Sequence, residues 1–348
     1  MDRIRLGKTE MMVSKLGFGS IPIQRLTEEE AVAVVKRCLD LGVTYLDTAN
    51  SYTTSEEQIG KAIAGRREGL TLATKSHSRT REGIENDLKL SLKRLGVEYI
   101  DIYQFHGVSD VQDMETVLDP NGPMAVLEDA KKTGVIGHIG VTSHSMNIAR
   151  ELVKTDCFDT IMFPLNFITC EAATELLPIA REHDVGFIAM KPMGGGMLDN
   201  ATLAFKYLLQ FPDILPIPGI EKPYEIEEIV GILNEPSKIT EVEWQEMERY
   251  RRELGTRFCR RCQYCQPCPE GINTSNMMTF PSAFKRVPPQ LLFSRRWAET
   301  MEKATECTKC GECETRCPYN LPIREMIAEH RILYEEAKSV WQNNKGLR

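Results

Sequence analysis

Residues 28–48 read EEEAVAVVKRCLDLGVTYLDT, and this stretch holds both halves of the repeat that decides the fold. EEEAVAVVKRCLDLG has the amphipathic spacing of a helix, with Thr27 placed to cap its start and Gly42 to stop it. VTYLDT follows as a short apolar, β-branched strand, Val43–Thr48. Moving outward, strand candidates recur at Lys15–Ile21, Leu70–Lys75, Tyr99–His106, Ile136–Thr142, Thr160–Leu165, Gly186–Pro192 and Ile214–Gly219. Amphipathic segments lie between them, such as REGIENDLKLSLKRLG, which Gly96 ends. Eight strand-helix pairs in about 240 residues predict an α/β fold, a closed (β/α)8 TIM barrel. An open doubly wound sheet is the alternative, but Gly17 and Gly19 lack the third glycine and acidic partner of its phosphate turn.

The remaining sequence has a different character. Of 348 residues, 42% are hydrophobic and 27% charged, a globular composition that excludes disordered and collagen-like classes. No run approaches the roughly 18 apolar residues of a membrane span, and MDRIRLGKTEMMVSKLGFGS lacks the apolar block of a signal peptide. A cytoplasmic protein without membrane contact is expected. The net charge of −7 hides a split: residues 1–255 carry 28 Lys+Arg against 40 Asp+Glu, and residues 256–348 carry 15 against 10. Eight of the 11 cysteines also lie between residues 259 and 317. Three segments follow: a barrel over 1–238, a linking helix over 239–255 expected to pack on the barrel surface, and a small, mainly helical domain over 256–348.

In a barrel of this kind, chemistry gathers where strands end at the C-terminal face. Asp47, Lys75 and His106 each end a candidate strand, and Tyr52 lies in the loop just after Asp47. The four suit a reaction that moves a proton while a hydride moves. A lysine ammonium favours the phenolate of a nearby tyrosine and so brings a weak acid toward its working range. Asp47 would hold Lys75, and a neutral His106 could orient and polarise a carbonyl. His77 and His144, also near strand ends, read as rim or helix-cap residues.

These residues stand in LDTANSYTTSEEQIGKAI, TLATKS, YIDIYQFHG, HIGVTS, FPLN, IAMKPMGGGML and PIPGI, and over about residues 3–235 the chain resembles an aldo-keto reductase. The resemblance implies a (β/α)8 barrel that interconverts a small carbonyl substrate and its alcohol with a nicotinamide cofactor. It implies that Asp47, Tyr52, Lys75 and His106 form the catalytic tetrad. On the cofactor side it implies Thr142 and Ser143 where the family has the Ser-Asn that holds the carboxamide. Met162 stands in place of a glutamine, and Met190 in place of a stacking aromatic. Asn166 and the run Gly194, Gly195 and Gly196 match, the run letting backbone amides approach a pyrophosphate. In the loop after the last strand, PGIEKPYEIEE begins with Pro218 and Gly219. It brings Glu221 and Glu225, with Lys222 alone, to the place where NADPH-specific members put cations on the 2′-phosphate. NAD(H) is therefore expected over NADP(H).

The cysteines form two runs, C-x2-C-x2-C-x2-C-P at Cys259–Cys268 and C-x2-C-x2-C-x3-C-P at Cys307–Cys317. The second has the bacterial two-cluster ferredoxin spacing, in which the fourth cysteine serves the other cluster. That predicts one 4Fe-4S cluster on Cys259, Cys262, Cys265 and Cys317, and a second on Cys307, Cys310, Cys313 and Cys268. The first run departs by one residue before Cys268. Structural zinc is an alternative, although cysteines at i, i+3 and i+6 crowd a tetrahedral ion. Disulfides are disfavoured by density without a secretion signal, and clusters kept as a structural staple form a third possibility. The connector, helical in LLFSRRWAETMEKATE, and the amphipathic IREMIAEHRILYEEAKSVW make this part similar to helical ferredoxin modules of anaerobic oxidoreductases.

The combined expectation is an iron-sulfur aldo-keto reductase with two 4Fe-4S clusters that exchange electrons with a ferredoxin-like carrier. A redox-sensing protein that uses the barrel only to bind a nucleotide is the second class. Arg260, Arg261, Arg295 and Arg296 are expected to compensate cluster charge or dock on the acidic barrel, and no interleaving of basic and aromatic residues suggests nucleic acid. Neither the substrate nor the oligomeric state is readable.

Overall fold

A computed structural model describes residues 1–345. The chain divides into two compact units, Met1–Thr240 and the residues from Glu241 onward. In the first, ten strands form: β1 (Arg3–Arg5), β2 (Met12–Ser14), β3 (Gly17–Gly19), β4 (Tyr45–Asp47), β5 (Thr71–Ser76), β6 (Ile100–Phe105), β7 (Ile136–Thr142), β8 (Thr160–Pro164), β9 (Gly186–Met190) and β10 (Ile214–Ile217). Strands β3 to β10 pair in chain order, each parallel to the last, and a bridge from Gly19 to Gly219 brings the final loop back to the first strand. This is the parallel eight-stranded barrel with intervening helices that the repeat predicts.

The local devices are legible in the residues. Thr27 Oγ1 accepts from the Glu30 amide (3.3 Å) while Glu30 Oε2 accepts from the Thr27 amide (3.0 Å), a capping box that starts the helix Glu28–Asp40. Gly96, at φ +66°, ends the helix Arg81–Leu95 in the left-handed conformation that favours glycine. Tyr45, Ala73, Ile102, Met162, Ile188 and Leu215 fill the barrel interior.

A short antiparallel hairpin, β1 against β2, was not among the expected strands. Its Ile4, Leu6 and Val13 join the interior cluster. Leu6 packs where a Cβ on Gly186, the first residue of β9, would lie 2.8 Å from its Cγ. The hairpin therefore plugs the end of the barrel where strands begin, which leaves the other end for chemistry.

In the second unit no strand forms among the described residues. The expected helix after Thr240 is present as Glu241–Gly255 and falls within this unit's contacts. Helices Thr274–Arg286, Arg295–Lys303 and Ile323–Lys345 surround a core centred on Phe280, whose ring centre lies 5.4 Å from Trp297 and 5.6 Å from Tyr334. The first of these helices carries Pro281 inside it, which removes one backbone bond and disguises the segment as a breaker in sequence. No helix among the described residues is long and apolar enough to cross a membrane. The last three residues of the 256–348 segment lie outside the described residues.

Candidate functional site

Asp47, Lys75 and His106 at the strand ends meet Tyr52, from the loop after β4, at one mouth. Asp47 is the last residue of β4 and Lys75 lies in β5, and both side chains are buried. Lys75 Nζ donates to Asp47 Oδ2 at 2.5 Å and to the Thr48 carbonyl at 2.7 Å. Gln104, inward-facing on β6, donates through Nε2 to Asp47 Oδ1 at 3.2 Å. The Lys75 ammonium lies 5.2 Å from the Tyr52 ring centre, and the Tyr52 and His106 rings meet edge to face at 5.9 Å. Burial works against the charge on Lys75, but Asp47, Tyr52 and Glu56 outweigh it and hold the ammonium above its ordinary pKa. Burial raises the Asp47 carboxyl, while Lys75 and Gln104 act to hold it down. The outcome is an ammonium held protonated beneath a tyrosine.

Several supporting residues lay outside the sequence reading. Glu56 is buried, accepts from Thr74 Oγ1 at 2.7 Å, and takes Arg94 Nη1 at 3.3 Å. Arg94 also donates to the Asn50 carbonyl at 2.9 Å, in the loop that carries Tyr52. Arg79 donates to the His106 carbonyl at 2.8 Å and to Asp113 Oδ1 at 2.9 Å. Only Gln104 had a signal available, because alternation along IDIYQF turns it inward. His77 is exposed at the rim, one residue beyond β5, and its ring stacks on His106 with centres 3.8 Å apart and planes 16° apart; Thr80, not His77, caps the next helix. His144 is also not a cap. Its Nε2 lies 2.9 Å from Lys191 Nζ, and Lys191 has φ +57°, a conformation that costs a non-glycine residue energy.

The residues read as cofactor contacts line the ends of β7, β8 and β9, and several of their polar atoms bond within the chain. Thr142 Oγ1 accepts from the Gly107 amide at 2.8 Å, and Ser143 Oγ accepts from the Ser145 amide at 3.1 Å. Asn166 Oδ1 accepts from the Ile168 and Thr169 amides (2.9 and 2.8 Å), and its Nδ2 donates to the Lys191 carbonyl at 3.0 Å. Met162 is buried in the barrel core and Met190 packs against it. Gly194, Gly195 and Gly196 all take positive φ, at +57°, +68° and +85°. Gly219 sits at the seam, where a Cβ would meet Pro22 Cγ at 3.0 Å.

In the second unit the two cysteine runs share one backbone form. The second residue after the first cysteine is left-handed in both, Arg261 at +63° and Lys309 at +60°, as is the residue after the second cysteine, Gln263 at +66° and Gly311 at +85°. Successive turns of this kind aim backbone amides inward, and the Arg261 amide donates to Cys259 Sγ at 3.4 Å. Cys268, Cys307, Cys310 and Cys313 line one small cavity. Burial pushes the Cys265 thiol up to about 12, with Cys259 and Cys262 adding to it. Burial likewise raises Cys262, and Cys317 adds to that shift. Cys268 thus lines one cavity with the first three cysteines of the second run, and Cys317 lies close enough to Cys262 to act on its thiol. Thiols that resist one another's ionisation are relieved by a polycationic core, so the donor set fits iron-sulfur clusters. Among the described residues no three ligand side chains converge as a single ion needs; the thiols ring a cavity instead. Of the arginines, Arg260 lies beside the first run, while the side chain of Arg295 is 92% exposed and pairs with Glu299 on its own helix.

A profile of the aldo/keto reductase family matches residues 15–203, more than half of the chain. The chain belongs to the aldo/keto reductase family. This aldo/keto reductase also carries a 4Fe-4S dicluster domain, matched over residues 258–322. It is similar to the uncharacterized oxidoreductase YqkF of Bacillus subtilis, with 30% identity over 217 residues, covering 58% of this chain and 68% of the relative. L-Galactose dehydrogenase of Arabidopsis thaliana is 28% identical over 213 residues, 56% of this chain and 66% of its own. Among solved structures, the holo form of aldo-keto reductase AKR11C1 from Bacillus halodurans aligns with a TM-score of 0.63 at 26% identity, covering 72% of this chain and 96% of that one. An aldo/keto reductase from Klebsiella pneumoniae in complex with NADP and acetate shares the fold at 21% identity and a TM-score of 0.60, covering 71% and 94%. This aldo/keto reductase is thus an oxidoreductase with an iron-sulfur domain.

Proposed function

We propose that this protein interconverts a small aldehyde or ketone and the corresponding alcohol with NAD(H), and that two 4Fe-4S clusters would relay two electrons, one each, between the nicotinamide and a ferredoxin-like carrier, so that a nicotinamide oxidised by the carbonyl is reduced again with a proton from solvent. The observation that carries the reading is the buried Lys75–Asp47 pair at 2.5 Å beneath Tyr52. When bound, a nicotinamide supplies or accepts the hydride. In the reducing direction, the Tyr52 hydroxyl gives its proton to the carbonyl oxygen as the carbon gains hydride, and solvent reprotonates the phenolate. Lys75 stabilises the phenolate, Asp47 keeps Lys75 in place, and His106, oriented edge to face with Tyr52, donates to the carbonyl oxygen.

The preference for NAD(H) is supported by the loop after β10. Glu225 Oε2 accepts from the amides of Glu221 (2.6 Å) and Lys222 (2.9 Å), so a carboxylate already holds the anion-binding turn at the start of the helix Pro223–Asn234. A 2′-phosphate there would meet like charge. The domain match and the crossed cysteine sets support two clusters, and two one-electron centres match the two electrons of a hydride.

The test is nucleotide-dependent reduction of a panel of aliphatic and aromatic aldehydes by anaerobically purified protein, with iron and sulfide analysis. The reading expects turnover faster with NADH than with NADPH, lost in Tyr52→Phe, and close to eight irons per chain. Nucleotide binding and cluster bleaching that persist in Tyr52→Phe, without carbonyl turnover by the parent, would favour the sensing alternative instead.

A further inference from the structure

We propose that Arg324 and Arg260 each set the reduction potential of one cluster, Arg324 for the set Cys268, Cys307, Cys310 and Cys313, and Arg260 for the set Cys259, Cys262, Cys265 and Cys317. The proposal rests on the two-cluster reading above. Arg324 is the second residue of the helix Ile323–Lys345 and lines the same small cavity as the four thiols of the first-named set. Its Nη1 donates to the Lys309 carbonyl at 3.2 Å, and its guanidinium lies 3.7 Å from where a Cβ on Gly311 would stand. It therefore braces both left-handed residues of that cysteine run. A second fork to Glu314 fixes it, with Nη2 to Oε2 at 2.7 Å and the backbone amide to Oε1 at 2.9 Å. Glu314 stands next to Cys313 and offsets part of the charge, but Arg324 lines the cavity and Glu314 does not.

The other set has its own guanidinium. Arg260, beside Cys259, donates to the carbonyls of Gly255 (2.9 Å) and Phe258 (3.2 Å). Its guanidinium carbon lies 3.9 Å from the ring centre of Tyr319, two residues after Cys317. Arg324 is thus tied to the backbone of the second run, and Arg260 to the backbone just before the first, with its guanidinium over the residue that follows Pro318.

Reduction takes a four-thiolate 4Fe-4S cluster from about −2 to about −3, so a fixed cation nearby stabilises the reduced form more and raises the potential. An anion does the reverse. Glu270 lines the Arg324 cavity and is the opposing charge there.

The experiment is an anaerobic redox titration with dithionite on the full chain, followed by electron paramagnetic resonance, with iron content measured on each sample. Arg324→Gln is expected to lower one of two midpoint potentials and leave the other in place, and Arg260→Gln to lower the other. Arg324→Lys, which keeps the charge, should stay close to the parent. If Arg324→Gln loses iron, Glu270→Gln carries the test, because it leaves the Lys309 and Glu314 bonds intact: the Arg324-linked midpoint should rise. Iron-replete variants in which neither midpoint moves, or both move together, overturn the assignment. Iron for one cluster in the parent protein overturns the two-cluster reading beneath it.

Discussion

Replacing Lys75 by methionine separates two contributions that the site combines. The ammonium is buried 5.2 Å from the Tyr52 ring centre, and at an effective dielectric of about 20 that separation corresponds to about 3 kcal/mol of phenolate stabilisation. Turnover of an aldehyde with NADH should therefore fall by about 10²-fold in Lys75→Met. The same change leaves Asp47 buried without its cation, which costs about 3–5 kcal/mol of stability unless the carboxyl takes a proton. The double variant Asp47→Asn, Lys75→Met should recover much of that stability, measured by denaturant unfolding, and none of the turnover. The pH dependence has a defined sign. Because Lys75 titrates above its ordinary 10.5 in the folded protein, its contribution is complete below that pH and is lost as pH rises through the folded value. The double variant should lack that alkaline loss. A Lys75→Met protein that turns over as fast as the parent would refute the role given to the ammonium.

Gly60→Ala should destabilise the barrel by about 1–3 kcal/mol in thermal unfolding, because a Cβ there would lie 2.6 Å from the Leu95 carbonyl oxygen at the end of a packed helix. Cys268→Ser is expected to reduce bound iron by about half, and Cys317→Ser to do the same through the other cluster, by iron analysis after anaerobic reconstitution. His330 is buried against the Met277 carbonyl at 2.9 Å, and burial lowers its pKa below the ordinary 6.5. Its neutral form is favoured in the fold, so stability is present above 6.5 and is lost as pH falls through that value toward the folded pKa. His330→Asn should flatten this acid-side slope in melting curves.

How far the sequence reached differs from element to element. The strand Ile136–Thr142 was legible to the residue, because IGHIGVT is built of glycine and β-branched residues, which are poor helix formers, around one histidine. The hairpin β1–β2 was not, since its strands of three residues are too short to show a period. The tetrad was readable because strand ends are marked by the change from apolar to ionisable residues. Glu56 and Arg94 were hidden, because both lie on helical segments where a charged residue ordinarily faces solvent. His77 was legible as a rim residue one position beyond a strand end, but its stack on His106 was not, because that needs the next strand placed beside it.

Sequence alone determined the repeat, the shift in charge and cysteine content near residue 255 and the two cysteine runs, because hydrophobic period, composition and ligand spacing are local properties of the chain. It also determined which residue types end the strands. Only the tertiary structure decided that Asp47, Lys75 and Gln104, from three different strands, share one hydrogen-bonded centre, and that Glu225 holds the turn after β10. It likewise decided that Arg324 faces the cavity lined by Cys268 and the second cysteine run. Those pairings depend on strand register and side-chain direction, which are fixed by closing the barrel and packing the helical core and not by any neighbouring residue.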